Sequence, residues 1–300
     1  MLEELARLDP DALRGLHTQM LDANLLLPAI AYRTADPVAR DLVIARIRRF
    51  DGQVPDRRSA DVLSLNHLLV ALAWIGDRDV QRVFERWRDA PPTWASALYI
   101  PAHEYTTTAG WTLDIGGARR DLYIPQGRAL VRAEQTSGDL RVLGPGEGHC
   151  HFCSNALGNL FQLDLGAPFT FIPLSGTISI PFCHLCSVYG TITFRIDPNG
   201  RATWHERTER FPVYGDTFRP WDEGHFGLGR PLANPFEWAD DDVGHVGGYP
   251  GWIDDDSYPE CLDCGRRMTF VGQVDVSSGG RFYGLICFTC LTAATVYQHT

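Results

Sequence analysis

Residues 150–165, CHFCSNALGNLFQLDL, and residues 261–276, CLDCGRRMTFVGQVDV, are two versions of one pattern. Each opens on a C-x-x-C pair and runs into a segment ending in Gln, an apolar residue, Asp and an apolar residue. Every position of the second is the first plus 111, without a gap. Alternation of apolar and polar residues is the mark of a half-buried strand. Downstream, Thr191-Ile192 answers Thr295-Val296 at an offset of 104. The shift of seven is a shorter loop between the cysteine pairs of the second copy. In both copies a strand leads into the second pair, Ile178 to Phe182 and Phe282 to Ile286. The pattern predicts a tandem duplication with a pseudo-two-fold β core.

All eight cysteines fall in four such pairs: Cys150/Cys153, Cys183/Cys186, Cys261/Cys264 and Cys287/Cys290. A C-x-x-C knuckle bends two thiolates toward one ion, and two knuckles complete a tetrahedral site. With 29 intervening residues in the first copy and 22 in the second, the spacing is close to that of zinc ribbons. The expectation is two structural zinc ions, one on Cys150, Cys153, Cys183 and Cys186, the other on Cys261, Cys264, Cys287 and Cys290. Iron–sulfur clusters also take four cysteines, and metal analysis separates the two. His149, His151 and His184 read as exposed neighbours, since four thiolates already fill each site. Gln162, Asp164, Gln273 and Asp275 could suggest a catalytic set. No nucleophile accompanies them, so they read as a strand's outward face, or as Gln bonding backbone across the two-fold.

The chain has 300 residues, of which 44% are hydrophobic, enough for a real core. All 27 basic residues are arginine, which excludes lysine Schiff-base and P-loop chemistry. The formal charge of -10 is concentrated in residues 207–260, where four Arg meet twelve acids, including Asp240–Asp242 and Asp254–Asp256. An acidic patch repels phosphate backbones, so nucleic acid is not the expected partner. The same segment carries Trp221, Phe226, Trp238, Tyr249 and Trp252. Its acids and aromatics fit a protein partner with a basic face. His205, His225 and His245 read as surface residues. No run reaches the roughly 20 apolar residues of a membrane span, and no secretion signal is read, so a cytoplasmic location is expected.

The front of the chain is helical. MLEELARLDPDALRGL reads as one acidic amphipathic helix. Asp36-Pro37 starts a helix to about Phe50 whose apolar face is Val38, Leu42, Ala45 and Ile47. A second helix runs from about Ser59 to Ile75 and closes on Gly76. Asp77 caps a third, with Val80, Val83, Phe84 and Trp87 at helical spacing. LLVALAWIGDRDVQRVFERW resembles a HEAT-type hairpin, which implies a protein-binding scaffold. The organisation read is α+β: a helical HEAT-like region over 1–96, a β-rich domain with the first zinc-ribbon copy over 97–206, an acidic, aromatic, Pro/Gly-rich connection over 207–260, and the second zinc-ribbon copy over 261–300.

Gly247-Gly248-Tyr249-Pro250-Gly251-Trp252, Tyr258-Pro259-Glu260-Cys261 and Gln273-Val274-Asp275 resemble the pattern of the YwqG-like bacterial family. Many of its members carry Gln where this chain has Asp254. A more distant similarity is to the eukaryotic programmed-cell-death-2-like zinc proteins, which chaperone a ribosomal protein. These resemblances imply the fold and a binding role, of immunity or client-chaperone type, without catalysis. An enzyme with its site in the cleft between the copies and a zinc-ribbon nucleic-acid binder are the alternatives.

Overall fold

Helix α1 (Leu2–Leu8) stops two residues before Pro10, which lacks an N–H and cannot continue a helix. A 3-10 turn, Pro10–Leu13, and α2 (His17–Asp22) follow, so the stretch expected as one helix is broken. Side-chain caps then set three longer helices. Asp36 accepts from the Ala39 N–H at 2.8 Å, Ser59 from Val62 at 3.3 Å, and Asp77 from Val80 at 2.9 Å. They open α3 (Pro37–Arg48), α4 (Ala60–Ile75) and α5 (Arg78–Asp89) in the computed structural model, which describes residues 2–135, 138–213, 224–237, 242–276 and 279–299. Gly76 ends α4 at φ +55°, left-handed backbone that a side chain would strain. On α3 the buried face is Ala39, Val43, Ile44 and Ile47. Val38 and Ala45, expected on that face, are exposed, and Leu42 is half-buried. The i, i+4, i+5, i+8 stripe is the one that turns to the core.

The chain forms two compact units, divided between Asp121 and Leu122. The first takes in residues 97–121, read above as the start of the β-rich domain. Trp111 is the physical reason. It opens the hairpin of β1 (Trp111–Leu113) and β2 (Arg119–Asp121), is fully buried, donates from Nε1 to the Ala73 carbonyl at 2.9 Å, and meets Phe84 edge-on at 5.7 Å.

The second unit holds β3 (Ile124–Ala133), β4 (Leu140–His149), β5 (Ala156–Asp164), β6 (Thr177–Phe182), β7 (Ile192–Ile196), β8 (Ala202–Trp204), β9 (His225–Pro231), β10 (Gly244–Gly248), β11 (Thr269–Val276), β12 (Gly280–Cys287) and β13 (Thr292–His299). Strands β4-β5-β6 make one sheet, and β8-β7-β13-β12-β11-β10-β3-β9 another. All pairings are antiparallel.

The repeat is written in the register. In the first copy Phe161, Gln162, Leu163 and Asp164 face Ile180, Ser179, Ile178 and Thr177. In the second copy Gly272, Gln273, Val274 and Asp275 face Gly284, Tyr283, Phe282 and Arg281. Every pair matches at the offsets 111 and 104. The bulges match too, falling at Asn159/Phe161 and at Phe270/Gly272. The repeat also starts one strand earlier than the cysteines. Leu140, Arg141 and Val142 of β4 face β5 as Gly244, His245 and Val246 of β10 face β11.

One apolar core joins the copies, with Leu160, Phe161, Leu163, Ile178, Ile180 and Phe182 from the first and Val271, Val274, Phe282 and Ile286 from the second. Its centre pairs large with small. A Cβ on Gly272 would lie 3.2 Å from the Phe161 ring, and one on Gly284 would lie 3.1 Å from Ile180 Cδ1. These are equivalent positions of the two copies. The third strands depart from the symmetry: β13 stays beside β12, whereas β7 leaves its own copy's sheet and pairs with β13.

Candidate metal centres

Each first knuckle is a tight turn after the preceding strand or segment. The Cys150 N–H reaches the Asn155 carbonyl at 2.8 Å, and the Ser154 N–H reaches the Cys150 carbonyl at 2.8 Å. At equivalent positions Cys261 bonds Arg266 at 2.7 Å and Gly265 bonds Cys261 at 2.8 Å. Ser154 and Gly265 are both left-handed, at φ +61° and +68°, which lets the chain fold back within two residues of the second thiol. The second knuckles close β6 and β12. There Ser187 N–H bonds the Cys183 carbonyl at 3.1 Å, as Leu291 bonds Cys287 at 2.8 Å.

The knuckles bring the eight thiols into two groups, Cys150/Cys153/Cys183/Cys186 and Cys261/Cys264/Cys287/Cys290, with all sulfurs of a group within 4.8 Å of one another. Cys153 and Cys183 Sγ are 3.5 Å apart, and Cys264 and Cys287 Sγ are 3.7 Å apart. Amide groups already point at the sulfurs: Phe152 N–H at Cys150 (3.4 Å), Cys186 N–H at Cys183 (3.3 Å) and Asn155 Nδ2 at Cys153 (3.3 Å). They stabilise negative sulfur. Each group could therefore hold one metal ion.

The electrostatics of the thiols point the same way. The hydrogen bond with the Cys183 thiol, against burial, lowers Cys150 to about 5. The same bond and then burial push Cys183 far up, while burial and the Cys153 thiol push Cys186 up. In the second group burial works against ionisation of Cys264, yet hydrogen bonds from the Arg266 N–H and the neighbouring thiols lower it. Burial raises Cys287 and Cys290. One thiolate per group forms readily and its negative charge opposes the rest, an opposition that a central cation removes.

The two sites differ in access. Cys150, Cys183 and Cys186 are buried among Phe152, Leu157, Ile192, Phe194, Trp204 and Phe211. In the second site Cys264 is exposed and Cys290 half-exposed. No histidine joins either group among the described residues. His149 and His151 are exposed, as expected, with His151 stacked on Trp204 at 4.6 Å. His184 is instead half-buried against Phe182, and burial lowers its pKa to about 4.

A polar cluster that the sequence did not announce surrounds the second site. Asp263, between its first two cysteines, accepts from Arg195 Nη2 and from Arg207 Nη2, each at 2.8 Å, and from Thr292 Oγ1 at 3.2 Å. Arg195 belongs to the first copy's β7. Its guanidinium, with that of Arg207 and the hydrogen bonds from His205 and Thr292, holds the Asp263 carboxyl well below the usual carboxylate range against burial. His205 Nε2 lies 3.3 Å from the same carboxylate, and His205 is fully buried. The expectation of surface histidines is thus wrong for His205 and for His245, which is 1% exposed with Nδ1 on the Gly247 carbonyl at 2.6 Å; His225 is exposed. A backbone partner satisfies one ring nitrogen and permits that burial.

Gln273 is buried and accepts from the Gly251 N–H at 2.7 Å. Its partner is the segment before Cys261, not the other copy across a two-fold. Tyr283 donates to the Gly251 carbonyl at 2.9 Å, and Gln298 accepts from the Ile253 N–H at 2.9 Å. Trp252 lies on the Tyr283 ring at 4.3 Å. Asp275 is ion-paired with Arg281. In the first copy Gln162 is half-buried and Asp164 exposed. Of the acidic segment, Asp254 and Asp255 are exposed, Asp242 lies beside Arg230 at 3.5 Å, and Trp221, Trp238, Asp240 and Asp241 lie outside the described residues.

No helix among the described residues is long and apolar enough to cross a membrane. No family model matches the chain, and no solved structure matches it. The uncharacterized protein YpfL of Salmonella typhimurium is 32% identical over 314 residues, which cover 98% of this chain and 70% of that protein. Identity at that level, sustained over nearly the whole chain, places the chain in the family of YpfL.

Proposed function

We propose that the protein is a cytoplasmic binding protein whose two four-cysteine sites hold structural zinc and whose task is to engage another protein. The observation that carries the metal reading is the pairing of all eight thiols into two closed quartets. Sulfurs 3.5 and 3.7 Å apart fit the edge of a tetrahedron with Zn–S bonds of about 2.3 Å. Four thiolates leave such an ion no open position for a substrate. The inter-copy cleft, where an enzyme site was the alternative, is filled by Phe161, Ile180 and their neighbours.

The binding role is supported more narrowly, by exposed Asp254 and Asp255 beside Trp252 and by the resemblance of the α4–α5 sequence to a HEAT-type hairpin. The YwqG-like motifs, Gly247-Gly248 and Tyr258-Pro259 among them, point the same way, toward an immunity-type or client-chaperone role. Zinc ribbons with a YwqG-like repeat are our reading of the two copies. The test is elemental analysis and X-ray absorption on the purified full chain, with a tagged copy recovered from its native cell across a salt series. Two zinc ions in all-sulfur shells and a basic partner lost as salt rises are expected. One metal per chain or nitrogen ligands defeats the metal reading, and the absence of any partner at low salt defeats the binding reading.

A further inference from the structure

The two copies present the same sheet face, and among the described residues only one of the faces is covered. In the second copy that face carries Phe270, Gln273, Arg281, Tyr283 and Leu285. A strap, Tyr249 to Tyr258, lies over it. Gly251 gives its N–H to Gln273 at 2.7 Å and its carbonyl to Tyr283 at 2.9 Å. Ile253 gives its N–H to the Tyr283 hydroxyl at 3.1 Å, Trp252 lies on the Tyr283 ring, and Tyr258 is buried in the cluster with Phe270 and Leu285.

In the first copy the equivalent residues are Asn159, Gln162, Thr177, Ser179 and Pro181. All five line one open cavity of about 310 Å³, together with Glu147 and the turn at residues 199–202. The strap is missing there. From Gly144 to Cys150 the first copy has a connection seven residues shorter than the one from Gly248 to Cys261. Glu147, equivalent to Tyr258, stands at the rim and pairs with Arg201 at 2.6 Å, so the rim is neutral. The Gln162 carboxamide has no hydrogen-bond partner among the described residues, although its equivalent holds a main-chain N–H. Ser179 and Asn159 stand where the second copy has Tyr283 and Phe270, so the lining of the cavity has neither ring.

We propose that this face of the first copy binds an extended, uncharged segment of a partner protein, which gives a main-chain N–H to Gln162 and seats an aromatic side chain over Ser179. The chain's own second copy shows the mode of recognition. A carboxamide fixes the register of the bound backbone, and the pocket selects the residue after it, as in other strand- and loop-capture sites. The proposal rests on the protein-binding reading above and adds where and what it binds.

The probe is the capped peptide acetyl-Tyr-Pro-Gly-Trp-Ile-amide, the strap's own sequence, titrated into zinc-loaded, nitrogen-15-labelled full chain. Saturable shifts are expected at the Gln162 side-chain amide, Ser179 and Gly200, with a Kd on the order of 0.1–1 mM for so short a ligand. Gln162→Ala should weaken binding roughly fivefold, one neutral hydrogen bond's worth. Ser179→Tyr, which restores the second copy's residue, should abolish it. Both positions are half-exposed, and unchanged resonances elsewhere verify the fold of each variant. No shift at about 5 mM peptide, well above weak-site affinities, or shifts that Ser179→Tyr leaves intact, overturn the proposal. Self-association abolished by Ser179→Tyr also overturns it, by assigning the face to a second copy of this chain. A partner that still copurifies with Ser179→Tyr alongside a silent titration overturns this site and leaves the binding reading standing.

Discussion

The first and second copies share strand order, register and bulges, yet they spend their outer faces differently. The second copy covers its face with a strap and a buried network of Gln273, Tyr283 and Gln298. The first leaves polar, small residues around an open cavity. The metal sites are reversed in this respect: the first is wrapped in aromatic residues and the second shows Cys264 to solvent. One backbone plan therefore supports two divisions of labour, with the more deeply buried metal site lying in the copy whose face is open.

Chelation tests the metal half of that contrast and has the largest expected effect. Thiolate-held zinc contributes on the order of 10 kcal/mol to small zinc domains. A strong chelator should melt the unit from Leu122 onward while the helices of the first unit keep much of their circular dichroism. Release followed with a metallochromic dye should be biphasic, with the second site emptying first because Cys264 is exposed. Simultaneous release would erase the difference between the sites.

Next come substitutions at the centre of the shared core. Phe161→Ala removes a fully buried ring and should cost about 3–5 kcal/mol in denaturant melts. Gly272→Ala instead adds a Cβ 2.9 Å from the His245 carbonyl and should cost about 1–3 kcal/mol. Equal costs would mean that the core does not distinguish its two sides.

The outer faces supply a smaller and sharper comparison. Gln273→Leu strands the buried Gly251 N–H and should cost about 1–3 kcal/mol. Gln162→Leu, at the equivalent position, breaks no hydrogen bond and should stay within about 0.5 kcal/mol. Equal losses would show the first face to be covered after all.

The narrowest effect is in pH dependence, confined to acidic conditions. Burial lowers His245 to about 4, so between the ordinary histidine range and that value the unfolded chain binds a proton that the folded chain refuses. Stability should fall as pH drops below about 6.5, by at most about 1.4 kcal/mol per pH unit from this group. The difference between the parent chain and His245→Asn melts isolates it, and parallel curves would refute it.

Much of this was legible in the cysteines and the Gln-apolar-Asp runs, because knuckles and half-buried strands impose strict spacing. Helix starts at Asp36, Ser59 and Asp77 were legible for the same reason, since a cap is a local requirement. The equivalence of β4 with β10 was not. Leu140-Arg141-Val142 and Gly244-His245-Val246 share a register, which is a property of pairing, and one residue identity. Nor did the burial of His205 show, for it depends on Asp263, 58 residues away. The strap's fit depends on Gln298, which lies 45 residues after Ile253. Contacts at such range leave no periodic trace in the chain.

The large-against-small centre has a consequence for assembly. Positions 161 and 272 are equivalent, so each copy could in principle seek its own kind in another molecule. Two first copies would set Phe161 against Phe161, an overfilled contact. Two second copies would set Gly272 against Gly272 and leave a void. Only first with second fills space, which makes the pairing directional and disfavours association of like copies.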